Sequence, residues 1–167
     1  MAMPKAKSAA KAKPAKSTAL KSVPKKDPAS HADTAPQEAA VGSGIVAYLL
    51  VDGAAAASEL YQKAFGGTEI GRMPLDEKGR TMHIHLYING ASLMLSDPYP
   101  EHGHPLVPPQ GFDLMLRVDD IDAWFKRATD AGLEVVFPVQ DMFWGDRYGV
   151  LRDRFGVKWS MTQPIKK

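Results

Sequence analysis

The chain has 167 residues, 44% hydrophobic and 24% charged, with a formal net charge of +2 and no cysteine. That length suits one packed domain with an extension. The missing thiols exclude disulfides, a cysteine nucleophile and thiolate metal ligation. The longest apolar runs are strand length, short of the roughly 20 residues of a membrane-spanning helix, so no membrane partner is expected.

The charge divides sharply along the chain. Residues 1–40 hold eight lysines against Asp27, Asp33 and Glu38, a net of +5, and residues 41–167 hold thirteen basic against sixteen acidic groups, a net of −3. The overall basicity therefore belongs to the first segment, and it says nothing about a nucleic-acid-binding fold. Residues 1–40 are rich in Lys, Ala, Pro and Ser, with Leu20 and Val23 their only large aliphatics beyond methionine. Such a segment cannot bury enough surface to offset the entropy of ordering it. A disordered tail over 1–40 and a folded domain over 41–167 are expected. The tail reads as a solubilising extension or as a weak electrostatic contact for a polyanion. With no aromatic residue in it, base stacking is not expected. No apolar stretch follows the first lysines, so no secretory signal is expected, and a reducing, cytoplasmic setting is the simplest reading.

In chain order, an apolar strand over 45–51 ends in Val51-Asp52, and Asp52 is expected to cap a helix over 54–65. Ala56, Leu60, Tyr61, Ala64 and Phe65 make its apolar face, and Gly66-Gly67 stops it. A strand over 68–73 and the turn Asp76-Glu77-Lys78-Gly79 follow. Asn89-Gly90 then joins strands 81–88 and 91–96 in the strongest hairpin signal of the chain. Residues 97–111 form a loop containing Pro98, Pro100, Pro105, Pro108, Pro109, His102 and His104. The pattern then repeats. A strand over 112–118 leads to a helix ending near Ala131, capped by Asp119 or Asp120, with Ile121, Trp124, Phe125 and Ala128 inward. A strand over 133–137, an aromatic turn over 141–146 and strands 146–152 and 157–162 close the second unit. These are two βαβββ modules, 44–97 and 111–163, in an α+β fold.

Several side chains suggest chemistry. His83 and His85 lie two apart on one strand face, where imidazoles could bind a ligand, move a proton or hold a metal; a solvent-facing or internally bonded pair is the alternative. Asp113 interrupts an apolar strand and needs a partner if buried, for which Arg117 and Arg147 are candidates. Phe143, Trp144, Tyr148 and Trp159 crowd near Asp146 and Arg147. They read either as a pinned loop or as an aromatic wall with Arg147 steering an anionic group. His102 and His104 are a weak metal signal in an exposed loop. Spacing alone supports no triad through Ser92, Ser96 or Ser160.

Taken together, the runs Leu60-Tyr61-Gln62-Lys63-Ala64-Phe65-Gly66-Gly67, Met82-His83-Ile84-His85-Leu86, Trp144-Gly145-Asp146-Arg147-Tyr148-Gly149 and Arg152-Asp153-Arg154-Phe155-Gly156-Val157-Lys158-Trp159-Ser160 resemble the vicinal oxygen chelate superfamily. That group includes glyoxalase I, bleomycin-resistance proteins and extradiol dioxygenases, and the similarity is strongest to its PhnB-like branch. The resemblance implies paired βαβββ modules whose curved mixed sheets enclose a cavity, usually in a homodimer. It also implies a divalent metal at four positions, which fall here on Ile45, His85, Asp113 and Ser160. Isoleucine cannot ligate and a neutral serine ligates poorly, so no metal is expected unless His85 and Asp113 recruit other groups. The chain is therefore expected to bind a small molecule through His83, Trp144, Arg147, Tyr148 and Trp159. His85 and Asp113 are the catalytic candidates if it is an enzyme. The alternatives are a metal-dependent lyase, isomerase or dioxygenase, and a nucleic-acid-associated protein acting through its tail.

Overall fold

A computed structural model describes residues 44–166. The expected disordered tail over 1–40 lies outside the described residues. In the folded part the elements are β1 (Ala47–Leu50), α1 (Ala54–Phe65), β2 (Thr68–Arg72), β3 (Ile84–Ile88), β4 (Ala91–Ser96), β5 (Leu114–Arg117), α2 (Ile121–Asp130), β6 (Glu134–Asp141), β7 (Asp146–Arg152) and β8 (Lys158–Pro164). A short 3-10 turn, Pro100–His102, interrupts the loop between the modules.

The βαβββ repeat is present in both halves. Each module forms a four-stranded mixed sheet, ordered β1-β4-β3-β2 in the first and β5-β8-β7-β6 in the second. In both, the opening strand pairs in parallel with the closing strand, and the other pairings are antiparallel. The expectation of curved sheets enclosing a cavity is corrected. The two sheets are separate and open, and β1, β2, β5 and β6 end as edge strands. Each module satisfies its ladder internally and covers one sheet face with a helix, so no ladder closes the other face into a chamber.

Local chemistry explains most of the turns. Asn89 and Gly90 take φ of 50° and 78°, the left-handed pair that a two-residue hairpin needs. Asp120 caps α2 by accepting the Ala123 amide at 3.0 Å. The expected Asp52 cap does not form. Gly53 takes the N-terminal position of α1 with φ 98°, and the carboxylate comes instead from Asp97, after β4. Its Oδ1 accepts the Gly53 and Ala54 amides at 2.8 and 3.0 Å. The buried face of α1 is also rotated from the expected one: Ala54, Ala57, Tyr61, Ala64 and Phe65 are inside, whereas Ala56 and Leu60 are half-buried.

One core spans both modules. Trp159 on β8 packs against Tyr61 and Phe65 of α1, with ring centroids 4.9 and 4.4 Å apart. Burying such rings contributes more than their area alone. Beneath them the buried Asp153 accepts hydrogen bonds from Tyr61 Oη at 2.8 Å, Trp159 Nε1 at 3.0 Å and the Phe155 and Val157 amides at 2.9 and 3.0 Å. Burial, reinforced by that carboxylate, pushes the Tyr61 hydroxyl pKa far up, so the phenol remains a donor.

Candidate functional site

The strand register sorts each sheet into two faces. In the first module Leu49, Leu95 and Ile84 align and are buried in the core, while Tyr48, Met94 and His85 align on the opposite face. At one end of this second face lies a groove of about 450 Å³. Tyr48, Leu50, Met82 and Ser96 line it from the module, and Tyr99, His102 and His104 form its wall. Tyr48 is oriented by donating its hydroxyl to the Met82 carbonyl at 3.1 Å, with His83 Nδ1 at 3.3 Å.

The wall is a tied loop. Tyr99 and His104 exchange backbone hydrogen bonds, Tyr99 N to His104 O at 2.7 Å and His104 N to Tyr99 O at 3.0 Å. Its near end is held by Asp97, whose Oδ2 accepts the Thr81 amide at 2.7 Å. Arg80 grips the other side. Its guanidinium contacts Asp76 Oδ2 at 2.9 Å and Glu101 Oε1 at 2.6 Å, donates to the Pro98 carbonyl at 3.3 Å and lies 4.2 Å from the Tyr99 ring centre. The Arg80 hydrogen bond draws the Glu101 carboxyl down to about 2. Backbone and side-chain donors of Arg80 likewise hold Asp76 below the usual range.

The sequence candidates are scattered over both modules. His83 sits beside Tyr48 but does not itself line the groove. His85 is only 2% exposed; its Nε2 lies 3.0 Å from Ser92 Oγ, and its Nδ1 is buried without a hydrogen-bond partner. Asp113 belongs to the second module and pairs with Lys158 at 3.9 Å; the β5–β8 register places those two side by side, and neither Arg117 nor Arg147 takes that role. Arg147 is pinned to Asp122, and to Asp141 at 3.3 Å. Trp144, Tyr148 and the 95% exposed Phe143 form an aromatic group at the β6–β7 turn. Trp159 is 2% exposed and committed to the core. Arg80 and Tyr99 were missed, since their contacts join residues that sequence spacing does not bring together; the Ser92–His85 contact follows from the register of the Asn89-Gly90 hairpin, where His85 and Ser92 are diagonal neighbours on one face.

A divalent metal does not fit these side chains. Ile45 is aliphatic and fully exposed, Ser160 Oγ is buried without a partner, and His85 and Asp113 are engaged with Ser92 and Lys158. Among the described residues no group of three or more His, Asp or Glu side chains could hold an ion.

The sequence profile of the Glyoxalase/Bleomycin resistance protein/Dioxygenase superfamily matches residues 43–161. The chain belongs to this superfamily. An uncharacterized protein of Mycobacterium bovis is 42% identical over 126 residues, 72% of this chain and 82% of that protein. Among solved structures, protein PA1353 from Pseudomonas aeruginosa is 31% identical with a TM-score of 0.61, covering 73% of this chain and 98% of that one. TioX from Micromonospora sp. ML1 is 29% identical with a TM-score of 0.60, covering 74% of this chain and 100% of that one. The superfamily match begins at residue 43 and so leaves the lysine-rich segment outside it. No helix among the described residues is long and apolar enough to cross a membrane.

Proposed function

We propose that this superfamily member is a small-molecule-binding protein whose ligand lies in the open groove of the first module. The carrying observation is the groove itself: about 450 Å³ of space beside Tyr48, Leu50 and Met82, with Tyr99, His102 and His104 across from them. That volume falls within the range of ligand sites, which combine apolar walls with a few convergent polar groups. His83 belongs to the same site through Tyr48. Trp144, Arg147 and Tyr148 form a separate patch in the second module, and His85 and Asp113 are held by neighbours of their own, so binding is better supported than catalysis.

The same reading includes a homodimer, supported by Ile45, Phe112 and Met115, large apolar side chains left exposed. The PhnB-like placement rests on the Trp144–Gly149 and Arg152–Ser160 runs. A cytoplasmic setting is part of the same reading, and a weak polyanion contact is supported by the lysines of residues 1–40.

A fragment screen followed by amide chemical-shift mapping tests the site. Hits should move Tyr48, Met82, Tyr99 and His104 and be lost in Leu50→Trp, which fills the groove. Hits that move only second-module residues would overturn the reading.

A further inference from the structure

Of the four edge strands, three are protected against pairing. β2 shifts register between Glu69 and Gly71, and β6 shifts twice and contains Pro138, devices that discourage an added strand. β5 pairs without a shift, but its free edge is occupied. Val118 N donates to Thr162 O, so the preceding residue Arg117 faces outward, and Asn89 Nδ2 donates to the Arg117 carbonyl at 2.7 Å. β1 also pairs with β4 without a shift. There Val51 N donates to Ser96 O at 3.0 Å, which turns the backbone of Leu49 and Val51 toward β4 and that of Tyr48 and Leu50 away from it. Among the described residues nothing takes up those two outward amides and carbonyls.

A crevice of about 300 Å³ lies against this edge. Four consecutive residues, Tyr48 to Val51, line it; their side chains alternate between faces, so the crevice follows the strand's edge. Its far wall is Val107, Pro108, Pro109 and Phe112, where proline has no amide hydrogen to compete for the strand's carbonyls. The groove of the proposed ligand site is lined by Tyr48 and Leu50 alone from this strand and so lies on the face of their side chains. Crevice and groove thus meet the same two residues, one at the backbone and one at the side chains.

The geometry points to a short extended peptide as the ligand, added as a fifth strand to the first sheet. This rests on the groove being the ligand site and names the class of molecule it takes. Main-chain groups of the peptide meet Tyr48 and Leu50 in the crevice at the two-residue repeat of a strand, about 6.6 Å. Alternate side chains enter the groove beside Met82, the division of labour by which an exposed sheet edge gains both affinity and selectivity. The wall across the crevice leaves room for one chain, whereas a second copy of the protein would bring a whole sheet against it.

The probe is the peptide Ac-Ser-Leu-Ser-Leu-Ser-NH2, titrated into the full chain by calorimetry with amide-shift mapping. Its alternation fixes the register, since a slip of one residue turns the leucines to the other face. Two analogues each carry two N-methyl groups, on both leucines or on the two later serines. Amide hydrogens alternate sides along a strand, so one analogue loses those that meet β1 and the other loses those that face away. The expected result is parent binding with shifts at Tyr48 and Leu50, at least tenfold weaker binding of one analogue, and less than threefold loss with the other. Leu50→Pro deletes one outward amide hydrogen, leaves the β1–β4 ladder bonds in place and should weaken the parent at least fivefold. The N-methyl pair uses unaltered protein, so it decides the matter even if that variant folds poorly. No binding of the parent, equal affinity of the two analogues, or an unchanged affinity in folded Leu50→Pro would overturn the peptide class. Sedimentation showing a dimer that Leu50→Pro dissociates would overturn it too, in favour of a second copy. Fragment hits that still move Tyr48, Met82 and Tyr99 would then leave the groove standing as the ligand site. Second-module shifts from peptide and fragments alike would remove the groove and this proposal with it.

Discussion

Asp97 and Asp153 stand just beyond the ends of β4 and β7, one in each module, and both buried carboxylates accept backbone amides, yet they hold different things. Asp97 ties the start of α1 and Thr81 to the base of the groove wall. Asp153 ties the β7–β8 turn to Tyr61 and Trp159 in the shared core. The sheet faces differ in the same way. The first module's uncovered face ends in a walled groove, while the second carries Asp113 beside Lys158 and the aligned pair Met115 and Ser160. One repeated ladder can thus border a groove in one copy and anchor the core in the other, depending on which loop its closing carboxylate holds.

Replacing each carboxylate is the strongest way to break that comparison. Asp153→Ala leaves the Tyr61 hydroxyl, the Trp159 indole and the Val157 amide buried without an acceptor, and should cost about 3 kcal/mol in urea unfolding. Asp97→Ala removes the helix cap and the Thr81 bond, and should cost about 2 kcal/mol. The discriminating readout is binding: Asp97→Ala should weaken a groove ligand several-fold in folded protein, and Asp153→Ala should not do so at temperatures where it stays folded. Equal losses of binding would merge the two roles.

Arg80→Ala sharpens the contrast at smaller scale. Its ion pairs are surface ones, and such pairs contribute little to global stability, so unfolding should shift by less than about 1 kcal/mol. The 99–104 wall should nevertheless loosen, seen as faster amide exchange at His102 and His104 and weaker ligand binding. Lysine should rescue poorly, because it lacks the planar fork that reaches Asp76, Glu101 and Pro98 together. The gentlest probe is acid. Glu101 falls from its ordinary 4.5 to about 2 when paired with Arg80. A depressed carboxyl stabilises above its free value and loses that contribution as pH drops toward the bound one. Loop protection at His102 and His104 should therefore decay between pH 4.5 and about 2, and Glu101→Gln should remove that dependence.

These particulars show what was legible beforehand. The βαβββ repeat, the Asn89-Gly90 turn and the Asp120 cap are local, set by residues a few positions apart, and could be read from the chain. The Asp52 cap failed because the competing acceptor, Asp97, lies 44 positions from Gly53. Arg80 was invisible for the same reason, reaching 21 residues to Glu101. Alternation put His83 and His85 on one strand face, but could not tell His83, which lies beside Tyr48, from His85, which is buried against Ser92. Trp144 and Arg147 read from the sequence either as a loop pinned by an ion pair or as a wall for a ligand; the chain alone could not name Asp122 and Asp141 as the carboxylates that hold the guanidinium.

The central claim is that the first module's groove, and not the matching face of the second, receives the ligand. Titrating a hit of the fragment screen into isotope-labelled protein, while following both sets of amides, tests it most directly. The account expects saturable shifts at Tyr48, Met82, Tyr99 and His104, abolished by Leu50→Trp, with Met115, Trp144 and Tyr148 unmoved. Saturable shifts centred on Met115 or Trp144, indifferent to Leu50→Trp, would contradict it.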